Sequence, residues 1–428
     1  MTDFNEQVIL ADQPVFINGF ADSEQAPSTI GDTNYSLAPI IDAPDEKVSP
    51  DETTLDDGGD LARSPDILSS LAVDLERAGL AGEKRTAQII YLAATSRLFS
   101  QPLSVAVKGP SSGGKSYTVQ SALRFLPQEA CFTLTSASEK ALIYTDEDLH
   151  HRMLVLYEAD AIAKAGHGAY LLRTLLSEGE IRHETVEKAG KGFATKKITK
   201  SGPTGLIVTT TATGLDPELE TRLLALTITD TPEQTRAVFK TLCRNHDPDV
   251  DYERWHRLQR WLTTGVRKVV IPFAEQLADR VLALAVRQRR DFGALLTLIR
   301  AHALLHRASR DRNDGGAIVA SITDYATVRE LVADLFSEGI EATVSTTVRE
   351  TVDAVAALKK KKGEVSLGQL ATKLGLDKSV VSRRLRQATE LGYLVNRETR
   401  RGRPARLVLG DPMPEEVQVL PDPSELSA

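Results

Sequence analysis

The sequence predicts an α/β fold in which a largely parallel sheet surrounds a glycine-rich phosphate loop, followed by a helical block and a small C-terminal helix-turn-helix. Three observations predict it. Residues 109–116, GPSSGGKS, fit G-x-x-x-x-G-K-[ST] at every position, between a β-prone run and a helix. From there to about residue 232, β-prone and helical stretches alternate, as in a sheet with helical crossovers. Over 347–410 the pattern changes to helix, helix, turn, helix and hairpin.

A chain of 428 residues, 41% hydrophobic and 26% charged, has room for two or three domains. Its apolar fraction and two cysteines exclude collagen-like, wholly disordered and disulfide-scaffold classes. Cys131 and Cys243 have no Cys or His at metal-ligand spacing and read as reduced core cysteines. No apolar run reaches the roughly 18 residues of a membrane helix. The start, MTDFNEQVIL, has two acids and no base, against a signal peptide. A cytoplasmic protein with no membrane partner is expected. The net charge of −7 averages two objects: residues 1–62 hold fourteen acids against Lys47 alone and carry −13, so the remaining 366 residues carry +6.

Residues 1–62 read as a disordered acidic arm, a VFINGF patch aside; it is a solvated tail, an intramolecular competitor for a basic groove or a docking arm. The phosphate-loop core is assigned to 63–235. Ser64-Pro65-Asp66 starts its first helix, with a hydroxyl cap, Pro in the first turn and an acid at the positive end. Ile67, Leu68, Leu71, Ala72 and Leu75 repeat at helical spacing until Gly79; a second amphipathic helix covers about 82–98, and the β-prone LSVAVK follows at 103–108. Residues 236–345 read as a helical lid in which Phe292, Leu295, Leu296, Leu298, Ile299, Ala303 and Leu304 are buried on more than one side. Residues 346–410 form the C-terminal domain, and 411–428, with five acids and four prolines, a disordered acidic tail.

The nucleotide-binding residues expected from the motif are Gly109, Pro110, Ser111, Ser112, Gly113, Gly114, Lys115, Ser116 and Tyr117. Glycines let successive N–H groups turn inward around a β-phosphate, and the following helix adds its positive end. Lys115 reaches the β- and γ-phosphates, and the Ser116 hydroxyl is placed to ligate Mg²⁺, so ATP and Mg²⁺ are the expected cofactors. The partner site is expected one strand away, where Met153–Leu156 leads into Tyr157, Glu158, Ala159 and Asp160. Glu158 is the expected water-activating base; Asp160 is either part of the site or a helix cap. The run resembles the hhhh-D-E of P-loop ATPases, which implies these roles, except that Tyr157 stands where that pattern has its metal-supporting Asp.

Next come a helix over 171–181 and a hairpin over 182–203, with Gly190-Lys191-Gly192 between its arms. From His183 to Pro203 it holds five lysines (Lys188, Lys191, Lys196, Lys197, Lys200) against two glutamates. Such lysines either blunt exposed edges or contact nucleic acid. The order of phosphate loop, acidic strand, helix, basic hairpin, TGLIVTTT (204–211) and ELETRLLALTITDT (218–231) resembles the ATPase core of the minichromosome-maintenance helicases, of the AAA+ class. Over about 64–410 the chain is also similar to ATPases of prophages and mobile elements, sometimes fused to primase-type domains. The resemblance implies that Thr211 is the polar sensor, where the family usually has Asn, and that Arg222 reaches a neighbour's ATP. It therefore implies a homo-oligomer, a ring such as a hexamer or at least a dimer. Arg222 could instead pair with Glu218 or Glu220. Block 273–335 resembles the family's lid, with Arg290 a candidate second sensor. His302 and His306, four apart, read as packing residues.

At the C-terminus Ser366 caps a short helix bearing Leu370, Ala371 and Leu374; Gly375-Leu376-Asp377 makes a turn, and Asp377 caps the next helix, KSVVSRRL. A hairpin follows, with its tip at Thr399 to Pro404. This is a winged helix-turn-helix and resembles MarR-type DNA-binding domains. Residues 377–406 hold nine Lys/Arg against three acids. Lys378, Ser379, Ser382 and Arg383 would face the major groove, and Arg400, Arg401 and Arg403 the minor groove or backbone. A winged helix used for protein contact is the other reading. Together these features predict a DNA-dependent ATPase, a helicase or replication-initiation motor of a mobile element or prophage. The alternatives are an ATP-controlled transcriptional regulator and a non-hydrolysing ATP-bound scaffold.

Overall fold

A computed structural model describes residues 58–427 except 135–144, 159–165, 190–191, 212–214, 229–230, 244–249, 282–287, 342–345, 363–364, 399, 401–402, 404 and 412–418. The arm 1–57 therefore lies outside the described residues. Leu61 and Ala62, at the end of the segment expected to be a disordered arm, are buried in the main core.

Helices α1 (Ile67–Arg77) and α2 (Lys84–Thr95) precede strand β1 (Val105–Lys108). The cap of α1 is not the expected Ser64 but Asp66, whose carboxylate accepts from Ser69 N at 2.9 Å. Helix α3 (Lys115–Leu123), β2 (Cys131–Leu134), β3 (Arg152–Leu156), α4 (His167–Glu178), the hairpin strands β4 (Glu180–Ala189) and β5 (Gly192–Ser201), β6 (Thr204–Thr210), the short α5 (Pro217–Glu220) and β7 (Leu224–Thr227) complete the α/β part.

Five strands form one parallel sheet in the order β2-β3-β6-β1-β7. Alternate strand residues face opposite sides, and the sequence supplies apolar side chains to both. Val105, Val107, Met153, Val155 and Ile207 enter one buried cluster with α1, α2 and α3. Ala106, Leu154, Leu156, Leu206 and Val208 enter another with Leu171, Leu172 and Leu175 of α4. Cys131 is half-buried at the start of β2, whereas Cys243 is exposed, against its reading as a core cysteine.

The helices expected as a lid are α6 (Pro232–Leu242), α7 (Tyr252–Thr263), α8 (Ala274–Arg280), α9 (Gln288–Leu305) and α10 (Ile322–Glu341), joined by the short parallel pair β8 (Val269–Val270) and β9 (Ile318–Val319). Trp255, Leu258, Leu295, Leu298, Ile299 and Val328 share the first cluster with the sheet, so α7, α9 and α10 build one core with it. The tail expected to be disordered is corrected over 419–427: Val419, Leu420 and Leu426 are buried in that same core, and the Tyr325 hydroxyl donates to Pro421 O at 2.7 Å. Its apolar Val-Leu and Leu outweigh the acids and prolines between them.

Helices α11 (Thr346–Lys362), α12 (Leu367–Leu374) and α13 (Lys378–Glu390) with the antiparallel pair β10 (Leu394–Asn396) and β11 (Leu407–Leu409) form the C-terminal domain around their own cluster, including Val352, Leu370, Val381 and Leu394. Ser366 and Gln369 make a reciprocal capping box on α12, and Gly375 ends it in the left-handed region. Asp377 stands at the N-cap of α13 without the expected side-chain bond.

Candidate nucleotide and nucleic-acid sites

Two left-handed residues bend the phosphate loop into α3: Ser112 at φ 64° and Gly114 at φ 87°, the helix N-cap. Gly113 N donates to Pro110 O at 3.2 Å, and a Cβ on Gly113 would lie 3.1 Å from that oxygen. The loop thus closes on itself and leaves the first N–H groups of α3 without a side-chain cap, an anion-binding end. Lys115 is buried, and its ammonium donates to Gly109 O at 3.1 Å and Pro110 O at 2.6 Å. Ser116 is half-buried at the start of α3. Tyr117 is exposed on the next position, its hydroxyl donating to Gly79 O at 3.2 Å.

Sheet register brings the partner residues to the same edge. Lys108 pairs with Thr210, and Leu156 with Val208, so the carboxyl ends of β1, β6 and β3 lie side by side, where open α/β sheets bind ligands. Glu158 is exposed two residues past β3, at φ 51°, and its N–H donates to Thr209 Oγ1 at 3.0 Å. Tyr157 turns to the other side: it packs half-buried on the α3 face, and burial pushes its phenol up to about 12, with Cys131 adding and a Gln120 hydrogen bond opposing. It is a neutral packing group there. Asp160 lies outside the described residues. Thr211 is exposed immediately after β6. Lys108 and Glu220 form an ion pair beside the loop.

Arg222 lies between α4 and α5. Its Nε donates to Ser177 Oγ at 2.7 Å and its Nη1 to Glu218 O at 2.6 Å. It meets the Glu218 carbonyl, not the carboxylate considered from sequence; that carboxylate is held by Arg173, which also pairs with Asp216 at 3.2 Å. Arg290 Nη1 donates to Thr221 O at 3.2 Å. Burial, then Arg290 and Arg173, lower the Arg222 guanidinium from its ordinary value. The candidate finger and candidate second sensor therefore share one cationic cluster.

The hairpin is a separate two-stranded sheet paired from Glu180↔Ser201 to Ala189↔Gly192. Ten residues per arm at about 3.3 Å each make a finger on the order of 30 Å long. Lys197 is exposed; Lys200 is tied to the base through the Thr145 and Glu147 carbonyls. Lys191 and the side chains of Lys188 and Lys196 lie outside the described residues. On α13, Lys378, Ser379, Ser382 and Arg383 are all exposed on one face, opposite the buried Val381 and Ala388. Arg400 and Arg403 are exposed in the wing; Arg401 lies outside the described residues.

Sequence reasoning missed Thr209, Arg173 and the pairing of Glu220 with Lys108. The run of threonines at 209–211 was a signal for the first; pairing across 45 residues, as between Arg173 and Glu218, leaves none. His302 and His306 are both buried, and His302 Nδ1 lies 2.7 Å from Asp324 Oδ1. Among the described residues no group of three or more His, Cys, Asp or Glu could hold a metal ion, and no helix is long and apolar enough to cross a membrane.

Residues 59–256 match the profile of the MTBMA_p00010 P-loop domain, and residues 348–398 that of the IclR helix-turn-helix domain. The winged helix is thus matched by an IclR-type rather than a MarR-type family. A full-length MCM homolog from Methanopyrus kandleri is similar in structure at 15% identity and a TM-score of 0.45, the match covering 68% of this chain and 62% of that one. No curated protein matches the chain. The chain therefore has a parallel α/β sheet with a P-loop domain and a C-terminal helix-turn-helix.

Proposed function

We propose that the chain is a DNA-dependent ATPase: a motor of the helicase or replication-initiation kind that works as a homo-oligomeric ring. The observation that carries this reading is the exposed Glu158, pinned to Thr209 at the sheet edge that also bears the phosphate loop. Loop N–H groups and Lys115 hold the triphosphate, the ammonium exchanging the carbonyls of Gly109 and Pro110 for phosphate oxygens. Glu158 takes the proton of the attacking water. Thr211, past the end of β6, orients that water. Arg222, from an adjacent subunit, meets charge building on the γ-phosphate. The Ser116 hydroxyl is a hard oxygen donor that suits Mg²⁺, which binds through few protein oxygens together with phosphates and water. When bound, the ion supplies positive charge to the β- and γ-phosphates. The basic hairpin contacts the translocated strand, and α13 with the wing grips duplex.

The IclR-type match favours a second reading, an ATP-controlled regulator of transcription. Tyr157, a neutral packing group at a position where a carboxylate is usual, favours a third, an ATP-bound scaffold. The test is steady-state ATP turnover with no DNA, single-stranded DNA and duplex at fixed salt, with strand displacement on a forked duplex. The motor requires turnover stimulated by DNA and displacement. Turnover without displacement supports the regulator, and absence of turnover the scaffold.

A further inference from the structure

Three rings meet where the root of the hairpin passes the first turn of α4. His167 and Tyr170 are three residues apart on α4, so both stand on one side of the helix. Their rings are nearly parallel, inclined by 20° with centroids 6.1 Å apart. His183, the fourth residue of β4, brings a third ring to 6.3 Å from that of His167. The other side of α4 is spent on the core: Leu171, Leu172 and Leu175 are buried in the cluster against the sheet. Tyr170 is left 53% exposed, and His167 is exposed beside it.

The hairpin holds this group in place through its own register. Ile181 is buried in the same cluster as the α4 leucines, and Ile198, the register partner of His183, packs against it. Successive strand residues face opposite sides, so the face that anchors the finger at Ile181 carries His183 next, where burial ends. One residue further along each arm, Arg182 and Lys197 are exposed on the reverse face. Among the described residues the exposed aromatic side chains are Tyr117, Tyr170 and Phe239, and Tyr170 is the one beside the basic hairpin. An apolar protein partner would want apolar neighbours around that ring; its neighbours are two imidazoles with polar edges. Flat rings in water next to a cationic finger suit nucleobases, which stack on aromatic faces with little regard to sequence while cations take the phosphates.

We propose that Tyr170, with His167 and His183 beside it, is a stacking platform for the unpaired bases of single-stranded DNA at the root of the finger. The proposal rests on the reading of the hairpin as a DNA-contacting element and adds a selection to it. Lysines hold the phosphates of any strand, whereas the rings favour a strand whose bases are free; in duplex the bases are already stacked and paired. The same side of α4 carries Ser177 two turns on, whose Oγ accepts from Arg222 Nε at 2.7 Å. One helix therefore bears the platform at its first turn and anchors the candidate arginine finger at its last.

The test measures affinity of the full chain, by fluorescence anisotropy, for an oligothymidylate and for a strand of the same length built of abasic sites, at several salt concentrations. The two strands carry the same phosphates and differ only in their bases. The thymidylate should bind about tenfold more tightly, the scale of one stacked base. Tyr170→Ala should lower affinity for the thymidylate about five- to tenfold and change affinity for the abasic strand by less than about twofold. The log–log salt slope should stay as it was, because no phosphate contact is lost. Tyr170→Trp should restore thymidylate binding, which a role for the hydroxyl would not allow. If Tyr170→Ala does not fold, His167→Ala, at another exposed ring, should narrow the same ratio. Equal affinity of the unmodified chain for the two strands, or an unchanged ratio in the variant, overturns the proposal. So does an equal loss on both strands, which would mean that the ring acts through the fold or the assembly. If the unmodified chain binds neither strand, the DNA-contacting reading of the hairpin fails and the platform with it; equal binding of both leaves that reading standing and removes the platform alone.

Discussion

The Glu158 N–H donates to the Thr209 hydroxyl oxygen across the tips of β3 and β6 at 3.0 Å, holding a non-glycine residue at φ 51°. That backbone conformation is unfavourable for an L-residue by roughly 1–2 kcal/mol, so the hydrogen bond helps hold the peptide that carries the candidate base. Thr209→Val keeps the β-branched shape and removes the acceptor. Turnover should fall about tenfold with KM little changed, while Glu158→Gln should fall at least about 10²-fold, the scale of a lost general base. Steady-state kinetics of both variants check this. A Thr209→Val enzyme with full turnover would show that the hydrogen bond is structural only.

Arg222 and Arg290 meet at the short turn through Thr221, in a cluster held by hydrogen bonds within one chain. If the cluster serves a neighbour's nucleotide, Arg222→Ala should lose about 10³-fold in turnover yet bind ATP normally. Lys115→Ala should fail at binding. Mixed together, the two inactive variants should recover part of the activity, because some interfaces pair an intact loop with an intact arginine. Absence of recovery in a proven mixed oligomer would sink the shared site.

The local signals that chemistry imposes were legible in the sequence. The phosphate loop has to carry glycine and lysine at fixed spacing, and the sheet has to present apolar residues on both faces, as Val105, Ala106 and Val107 do. The cap at Ser366 follows from a hydroxyl just before the apolar-periodic run, and the exposed face at Lys378, Ser379, Ser382 and Arg383 from helical spacing, whereas the reciprocal bond from Gln369 appears only in the structure. What was not legible depends on distant pairing. Residues 419–427 look like an acidic tail until the surface around Tyr325 that buries Leu420 is known. The partner of Glu218 is Arg173, and the anchor of Glu158 is Thr209, neither of which is fixed by local spacing.

Acid should weaken the fold through His306 before it affects Asp324. His306 is buried and neither ring nitrogen has a hydrogen bond among the described residues. Burial first, then His302 and Arg310, push it down to about 4, against opposing pulls from Asp324 and Asp66. Between the ordinary 6.5 and that value the unfolded chain binds a proton that the folded chain refuses. Stability therefore falls as pH drops through this window, by at most about 1.4 kcal/mol per pH unit. Burial would raise the Asp324 carboxyl, but hydrogen bonds from His302 and Arg310 outweigh it and hold it below the ordinary range. Its contribution is kept until pH falls below the ordinary carboxylate range. His306→Phe should flatten the decline between pH 6.5 and 4; His151, also lowered mainly by burial, leaves a remainder. Urea unfolding at several pH values measures the slope, and an equal slope in both proteins would exclude His306 as its cause.

The winged helix is bounded in sequence by two segments of the main core, α10 before it and 419–427 after it. Removing everything beyond 362 would therefore take Val419, Leu420 and Leu426 out of that core as well as the DNA reader. Leu420→Ala alone should cost about 2–4 kcal/mol of stability, measured by thermal or urea unfolding. The function of the reader has to be tested by surface changes. Arg383→Ala with Arg400→Ala removes two exposed cations and none of the buried cluster around Val381 and Leu394. Duplex affinity should fall, and the log–log salt slope should flatten by about 0.9 for each phosphate that is no longer neutralised. Basal ATP hydrolysis should be unchanged, since both side chains belong to a domain whose core is separate from the one that holds β1, β3 and β6. Lys196→Ala with Lys197→Ala should act in the opposite sense, sparing duplex affinity and abolishing DNA stimulation, because those lysines ride on the hairpin, a sheet apart from the winged helix. If the arginine pair leaves duplex affinity and its salt slope intact, the winged helix does not grip DNA through this face. If the lysine pair leaves stimulation intact, the hairpin is not what couples DNA to the phosphate loop.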